Sequence, residues 1–290
     1  MKTSLPNSVL ITGCSTGFGM ETALHLAERN FRVYATMRDL TKQIELLEAA
    51  ERRNVTLRIL RLDITEPESI AEAVQTVVAE SGGIYGVINN AGVVIRGYFE
   101  DLLEEEIRAV FEPNFFGTMA VTRAALPHMR AARRGRVVII TSIAGKIGSP
   151  GGSAYSSSRF AQEGFAESLS QELEPLGIQV VLVEPGITKT EHWTINRGVA
   201  VRATNPESPY YHWFQRGEAL FHKAMDTSPI QTTDVAQTIH TALTAKQPRL
   251  RYVVGRRAGF VLALRRYIPG EIFERIYFGE IMRRITNGSW

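Results

Sequence analysis

The sequence predicts an α/β protein with a doubly wound, seven-stranded parallel sheet and helices on both faces. Short β-branched runs alternate with amphipathic stretches through the first two-thirds of the chain, the pattern of βαβ units. A glycine-rich turn, "TGCSTGFG" at 12–19, separates the first apolar run from the first amphipathic one. The residues with chemical potential fall just after the predicted strands, where such sheets place their ligands.

Taken in order, strands are expected at 8–12, 32–36, 56–62, 85–89, 135–142, 179–184 and 252–254. Helices are expected at about 18–29, 40–52, 67–80, 104–131, 154–175 and 232–245. Residues 1–290 are read as a single domain, a size within reach of one large α/β unit. Two stretches stand outside the alternation. Residues 188–230 hold Trp193, Tyr210, Tyr211, Trp213, Phe214 and Phe221, and so long a connector reads as a functional insert, a lid over an apolar pocket. Trp193 and Tyr211 are its candidate substrate contacts. Residues 256–290 form an amphipathic extension broken at Pro269–Gly270.

Composition narrows the function classes. The chain has 290 residues, 44% hydrophobic and 22% charged, as in ordinary soluble domains. The apolar run "VLITGC" is too short for a signal-peptide core or a membrane span. Cys14 is the only cysteine, which excludes an intramolecular disulfide and a cysteine-based zinc site; a cytoplasmic location is expected. The six histidines show no metal-ligand spacing, so no metal is expected. From Arg249 onward nine arginines face three glutamates. Arginine outnumbers lysine 27 to 6 over the whole chain, however, so the basic tail reflects a general bias. A packed terminal helix is favoured over peripheral membrane contact, and no nucleic-acid partner is expected.

In the turn at 12–19, Gly13, Gly17 and Gly19 allow the backbone to approach a pyrophosphate at a helix N-terminus. Free N–H groups and the helix dipole favour negative charge there. The spacing G-x-x-x-G-x-G is weak evidence alone. The second strand ends "VYATMRD", with no acid at its tip. Arg38, with the hydroxyls of Ser15 and Thr16, suits a 2′-phosphate, so NADP(H) is expected over NAD(H). Asp39 reads as the first residue of the next turn.

The glycine turn is the first of six ordered motifs. "RLDIT" carries Asp63 and Ile64; "NNAG" carries Asn90, Ala91 and Gly92; "PNFFG" carries Asn114. "ITSIAG" carries Ser142, "YSSSR" carries Tyr155 and Arg159, and "EPGITKT" carries Pro185, Gly186, Ile187 and Thr190. Over residues 5–255 the chain resembles the classical short-chain dehydrogenase/reductase family. The segments "VYATMRDL", "NFFGTMAVTRAALPHMR" and "GFAESLSQEL" look most like its branch of type 1 17β-hydroxysteroid and retinol dehydrogenases.

The resemblance implies a Rossmann-like fold and a homodimer or homotetramer. It also implies hydride transfer between a nicotinamide cofactor and a lipophilic ketone, aldehyde or alcohol. Gly13, Ser15, Thr16, Gly17, Phe18 and Gly19 would form the cofactor loop; Asp63 and Ile64 would face the adenine, and Asn90, Ala91 and Gly92 the ribose. Pro185, Gly186, Ile187 and Thr190 would lie near the nicotinamide. Tyr155 would be the general acid/base, Ser142 would place the substrate oxygen, and Asn114 would hold a water linking the cation to solvent. Tyr155 and Arg159 are expected to contact the cofactor as well.

Two departures matter. Pro113 falls inside an expected helix, where a proline removes an N–H and kinks the chain. Arg159 stands where the family pattern has lysine. Spacing of four residues puts it on the Tyr155 face of a helix, and a cation beside a phenol makes it a stronger acid. Arginine keeps that charge but spreads it over a planar fork, which is not equivalent at a shaped site. Attenuated redox catalysis, non-redox acid–base chemistry (an isomerase, dehydratase or cyclase) and cofactor binding without catalysis all fit the sequence.

Overall fold

The computed structural model describes residues 7–194 and 196–287. Residues 1–6, Ile195 and 288–290, assigned above to the domain, the insert and the extension, lie outside the described residues. In chain order the elements are β1 (Ser8–Ile11), α1 (Gly17–Ala27), β2 (Arg32–Met37), α2 (Ile44–Arg52), β3 (Arg58–Arg61), α3 (Pro67–Ser81), β4 (Gly86–Asn89), β5 (Ile95–Arg96) and α4 (Glu104–Phe111). They continue with α5 (Thr118–Ala132), β6 (Gly135–Ile140), α6 (Ser153–Leu173), β7 (Ile178–Pro185), β8 (Gly198–Val199), α7 (Tyr211–Asp226), α8 (Thr232–Thr244), β9 (Arg251–Val254), α9 (Arg256–Tyr267) and α10 (Gly270–Asn287).

Seven parallel strands form the main sheet in the order β3-β2-β1-β4-β6-β7-β9. The Rossmann-like, doubly wound architecture is therefore as expected. Residues of the central strands are buried on both faces and divide by parity. Val9, Ile11, Val33, Ala35, Val138 and Val181 join the core beneath α1, α2 and α8. Leu10, Tyr34, Val137, Ile139, Val180 and Leu182 join the opposite core beneath α3, α5 and α6. Each fully buried side chain of this kind contributes about 1.5–3 kcal/mol. The strand order reverses between β1 and β4, which opens a crevice at the carboxyl ends of those strands.

The helix expected at 104–131 is two helices. A single π turn, Glu112–Gly117, joins α4 to α5 and contains both Pro113 and Asn114. A wider turn tolerates the proline, whose missing N–H would break an α-helical bond. The insert is less irregular than its composition suggests. β8 pairs in parallel with β5, Ile95 opposite Gly198 and Arg96 opposite Val199, and α7 occupies much of the remainder. Pro269 separates α9 from α10, as the sequence predicts. No helix among the described residues is long and apolar enough to cross a membrane.

Candidate active site

The glycine turn leaves β1 and enters α1. Gly13 has φ +71°, and a Cβ there would lie 2.9 Å from the Ala91 Cα. Gly17 has φ +59°, and a Cβ on Gly19 would meet the Gly13 carbonyl oxygen at 2.2 Å. Only glycine satisfies these constraints. Asn90 Nδ2 donates to the carbonyls of Thr12 (2.9 Å) and Gly13 (2.8 Å), so this amide braces the turn. Thr12 Oγ1 accepts from the N–H groups of Asn90 and Ala91, both at 3.0 Å. The motif alone gave no sign of that second brace. Cys14 is fully buried, and burial pushes its thiol up to about 12.

A cavity of about 750 Å³ runs from this turn along the carboxyl ends of the sheet. Ser15, Thr16, Gly17 and Phe18 line one side; Ile64, Asn90, Ala91 and Gly92 line another. At one end of the cavity, Arg38 Nε lies 4.0 Å from Asp63 Oδ2, with the arginine largely exposed. Partial burial opposes ionisation of Asp63, but hydrogen bonds from Thr65 and the nearby Arg38 hold its carboxyl below the usual range. Asp39 Oδ1 accepts from Thr41 N (3.0 Å) and Thr41 Oγ1 (2.7 Å), closing the turn the sequence assigned to it. Lys42, not foreseen, lines the same end. It lies four residues beyond Arg38, a basic spacing that could have signalled it.

Ser142, Tyr155, Arg159, Pro185, Gly186, Thr190 and Trp193 line the other end. Gly19, Asn114, Ile187 and Tyr211 do not. Gly19 is consumed by contact with Gly13, and the Ile187 carbonyl accepts from Ser228 Oγ. Tyr211 starts α7, its ring 5.4 Å from that of His212; among the described residues the insert's contributions to the cavity wall are instead Thr190, Trp193, Asn196 and Gly198. The Trp193 ring stands edge-on to Tyr155 at 5.1 Å and tilts over Phe221 at 4.8 Å.

Tyr155 and Arg159 lie on one buried face of α6. The guanidinium carbon is 4.9 Å from the centre of the Tyr155 ring. Arg159 Nη1 donates to the Ile140 carbonyl (3.2 Å) and to Gln162 Oε1 (2.9 Å). Gln162 Nε2 in turn donates to the Asn114 carbonyl at 2.6 Å. The Asn114 side chain is committed to Val93 and Ser158: its Oδ1 accepts from Val93 N (2.7 Å), and Nδ2 donates to Val93 O (2.9 Å) and Ser158 Oγ (3.0 Å). Asn114 thus stands behind the cavity wall. Ser142 Oγ accepts from Ala144 N at 3.1 Å, which fixes the loop after β6.

Beneath this end lies a charged cluster absent from the sequence expectations. Glu163 meets Lys146 (2.5 Å) and Arg251 (3.0 Å), and Glu184 lies 3.3 Å from Arg251 Nε. Burial, reinforced by the neighbouring Glu163, raises the Glu184 carboxyl to about 7, against the pull of Lys146 and Arg251.

A sequence profile described as short chain dehydrogenase matches residues 7–198. The chain belongs to that family. It is 34% identical to bovine "Retinol dehydrogenase 8" over 282 residues, covering 93% of this chain and 88% of that one. It is 37% identical to mouse "17-beta-hydroxysteroid dehydrogenase type 1" over 261 residues, covering 85% and 73%. A short-chain dehydrogenase from Streptomyces avermitilis superposes with TM-score 0.78 at 30% identity, covering 97% of this chain and 99% of that one. A metagenomic short-chain oxidoreductase solved with NADP gives TM-score 0.68 at 25% identity, covering 87% and 98%.

These findings make the chain a short-chain dehydrogenase or reductase of the retinol and 17β-hydroxysteroid dehydrogenase branch, an enzyme type acting on CH–OH groups with NAD or NADP. The cavity suits such a dinucleotide on its own evidence. At one end Gly17, with nothing nearer than 3.6 Å to where its Cβ would lie, leaves the backbone of the turn open on the cavity it lines. At the other, Arg159 Nε and Thr190 Oγ1 are buried without a hydrogen-bond partner among the described residues. Buried polar groups in that condition call for a ligand.

Proposed function

We propose that this chain is an NADPH-dependent reductase, or the corresponding alcohol dehydrogenase, for a lipophilic carbonyl compound. The observation that carries this reading is the convergence of Ser142, Tyr155 and Arg159 on one cavity wall, with the guanidinium 4.9 Å from the phenol ring. When bound, a reduced nicotinamide supplies the hydride that adds to the carbonyl carbon. Tyr155 gives its hydroxyl proton to the developing alkoxide, and Ser142 donates a hydrogen bond that places the same oxygen. Arg159 stabilises the tyrosinate left behind until solvent returns the proton. Proton transfer of this kind contributes about 10²–10⁴-fold.

Preference for the phosphorylated cofactor is supported by Arg38 and Lys42 at the end taken as the adenine site, while Asp39, which lines the same end, has its Oδ1 occupied by Thr41. Charge-assisted contacts from two cations favour a 2′-phosphate. The Trp193 ring, which lines the cavity and packs against Phe221, supports an apolar substrate, because ligand pockets are lined mainly by such groups. We read residues 188–230 as the substrate lid. Asn196 Nδ2 donates to Thr16 Oγ1 at 3.3 Å and thereby ties that lid to the cofactor turn.

The test is NADPH and NADH oxidation by the purified protein across a panel of apolar ketones and aldehydes, with substrate followed separately. Carbonyl-dependent NADPH consumption with matching alcohol formation is expected. Bound NADPH that persists while a substrate isomerises, dehydrates or cyclises would replace hydride transfer with acid–base chemistry at Tyr155. Nucleotide binding with no substrate change would leave a cofactor-binding protein.

A further inference from the structure

The arginine at the tyrosine's side is joined to a second unusual side chain. Tyr155, Arg159 and Gln162 follow at i, i+4 and i+7 along α6, so all three share one face. Gln162 is 1% exposed. A buried primary amide must satisfy both its oxygen and its nitrogen, and here it does. Its oxygen accepts from Arg159 Nη1 at 2.9 Å. Its nitrogen donates to the Asn114 carbonyl at 2.6 Å and to Thr118 Oγ1 at 3.1 Å. Thr118 Oγ1 also donates to that carbonyl, at 2.8 Å, so both of the oxygen's lone pairs have protein donors.

We propose that Gln162 is a positioning residue for Arg159 and that the two work as one unit. This rests on reading the cavity as the cofactor site. The guanidinium is a flat fork, and an unheld fork on a long stem would waste its charge. Gln162 and the Ile140 carbonyl hold the Nη1 edge from behind. Among the described residues the buried Nε has no hydrogen-bond partner, and Nη2 lies 2.9 Å from where a Cβ on the cavity-lining Gly92 would be. Gln162 also makes a side-chain link between the cation and the Asn114 carbonyl, the place the family resemblance gives to a water. An ammonium has no fork to orient, so a lysine at 159 would gain nothing from this glutamine.

The experiment is a double-mutant cycle of Arg159→Lys and Gln162→Met, read by NADPH binding, kcat and melting temperature. Methionine conserves volume and removes all three hydrogen bonds, and the Asn114 carbonyl keeps the one from Thr118. In the arginine background, Q162M is expected to weaken NADPH binding about tenfold and lower the melting temperature by about 3 °C. In the lysine background both effects should fall below about twofold and 1 °C, a coupling that only interacting residues produce. Equal losses in the two backgrounds would mean that Gln162 serves Asn114 and the helix alone, and would overturn the proposal. The melting cycle needs no cofactor or substrate. Coupled melting without turnover in any variant would therefore retire the reductase reading and leave this pairing standing.

Discussion

Arg96 Nε donates to Glu218 Oε1 at 2.9 Å across 122 residues of sequence, both side chains buried. The bond joins β5, beside the cavity, to α7 in the insert, and Arg197 pairs with the other carboxylate oxygen. Removing one partner of a buried pair leaves an uncompensated charge, at a cost of about 3–5 kcal/mol. Glu218→Ala, which strands two arginines, should lower the melting temperature by roughly 10 °C. Arg216→Ala, which leaves that triad intact and loses only carbonyl contacts at Ile285 and Thr286, should cost less than half as much. Calorimetry of the two variants checks this.

Tyr155→Phe removes the only proton the proposed mechanism transfers. Turnover should fall by about 10²–10⁴, with the NADPH dissociation constant changing by less than about fivefold. Steady-state kinetics beside a fluorescence titration will separate the two. A comparable loss of turnover and of NADPH affinity would make Tyr155 a cofactor contact before it is an acid.

Arg38 and Lys42 both line the cavity, at the end the proposed function gives to the adenine ribose. Arg38→Ala combined with Lys42→Ala should raise the KM for NADPH by about 100-fold, since each charge-assisted bond carries about 1.5–3 kcal/mol. The KM for NADH should stay within about threefold. An equal rise for both nucleotides would place these cations on the pyrophosphate or adenine and cancel the stated preference.

Much of this could be read before any coordinates. The parallel sheet was legible because parity has little bearing on strands buried on both faces, and their unbroken apolar runs survive as a signal. The cofactor turn was legible because Gly13 and Gly19 have no alternative residue. The π turn was not, since periodicity cannot distinguish a widened turn at Pro113 from a kinked helix. Trp193 lines the cavity and Tyr211 does not, a difference composition could not show because both sit in an insert whose local order depends on a two-residue ladder with β5. Gln162 escaped notice for a different reason: one of its hydrogen-bond partners is the Asn114 carbonyl, 48 residues earlier.

Glu184 gives a pH test. Its folded carboxyl is raised from 4.5 to about 7, so folding favours the protonated form. Its contribution is fully present below the unfolded value and lost as pH rises through about 7. Glu184→Gln, which mimics the protonated acid, should melt within about 1 °C of the native protein at pH 5 and roughly 2–4 °C higher at pH 8. Parallel pH dependences in the two proteins would sink this account.

The lone cysteine leaves an opening for the experimenter. Cys14 is sealed in the core with its thiol held protonated, its Sγ donating to the Ile11 carbonyl at 3.3 Å. Maleimides and iodoacetamides attack thiolates they can reach, so the native chain is expected to be blank to them. A reporter thiol introduced at an exposed site on α7, such as Lys223→Cys, would then carry a dye or spin label alone, and the insert's movement could be followed on the otherwise unmodified protein.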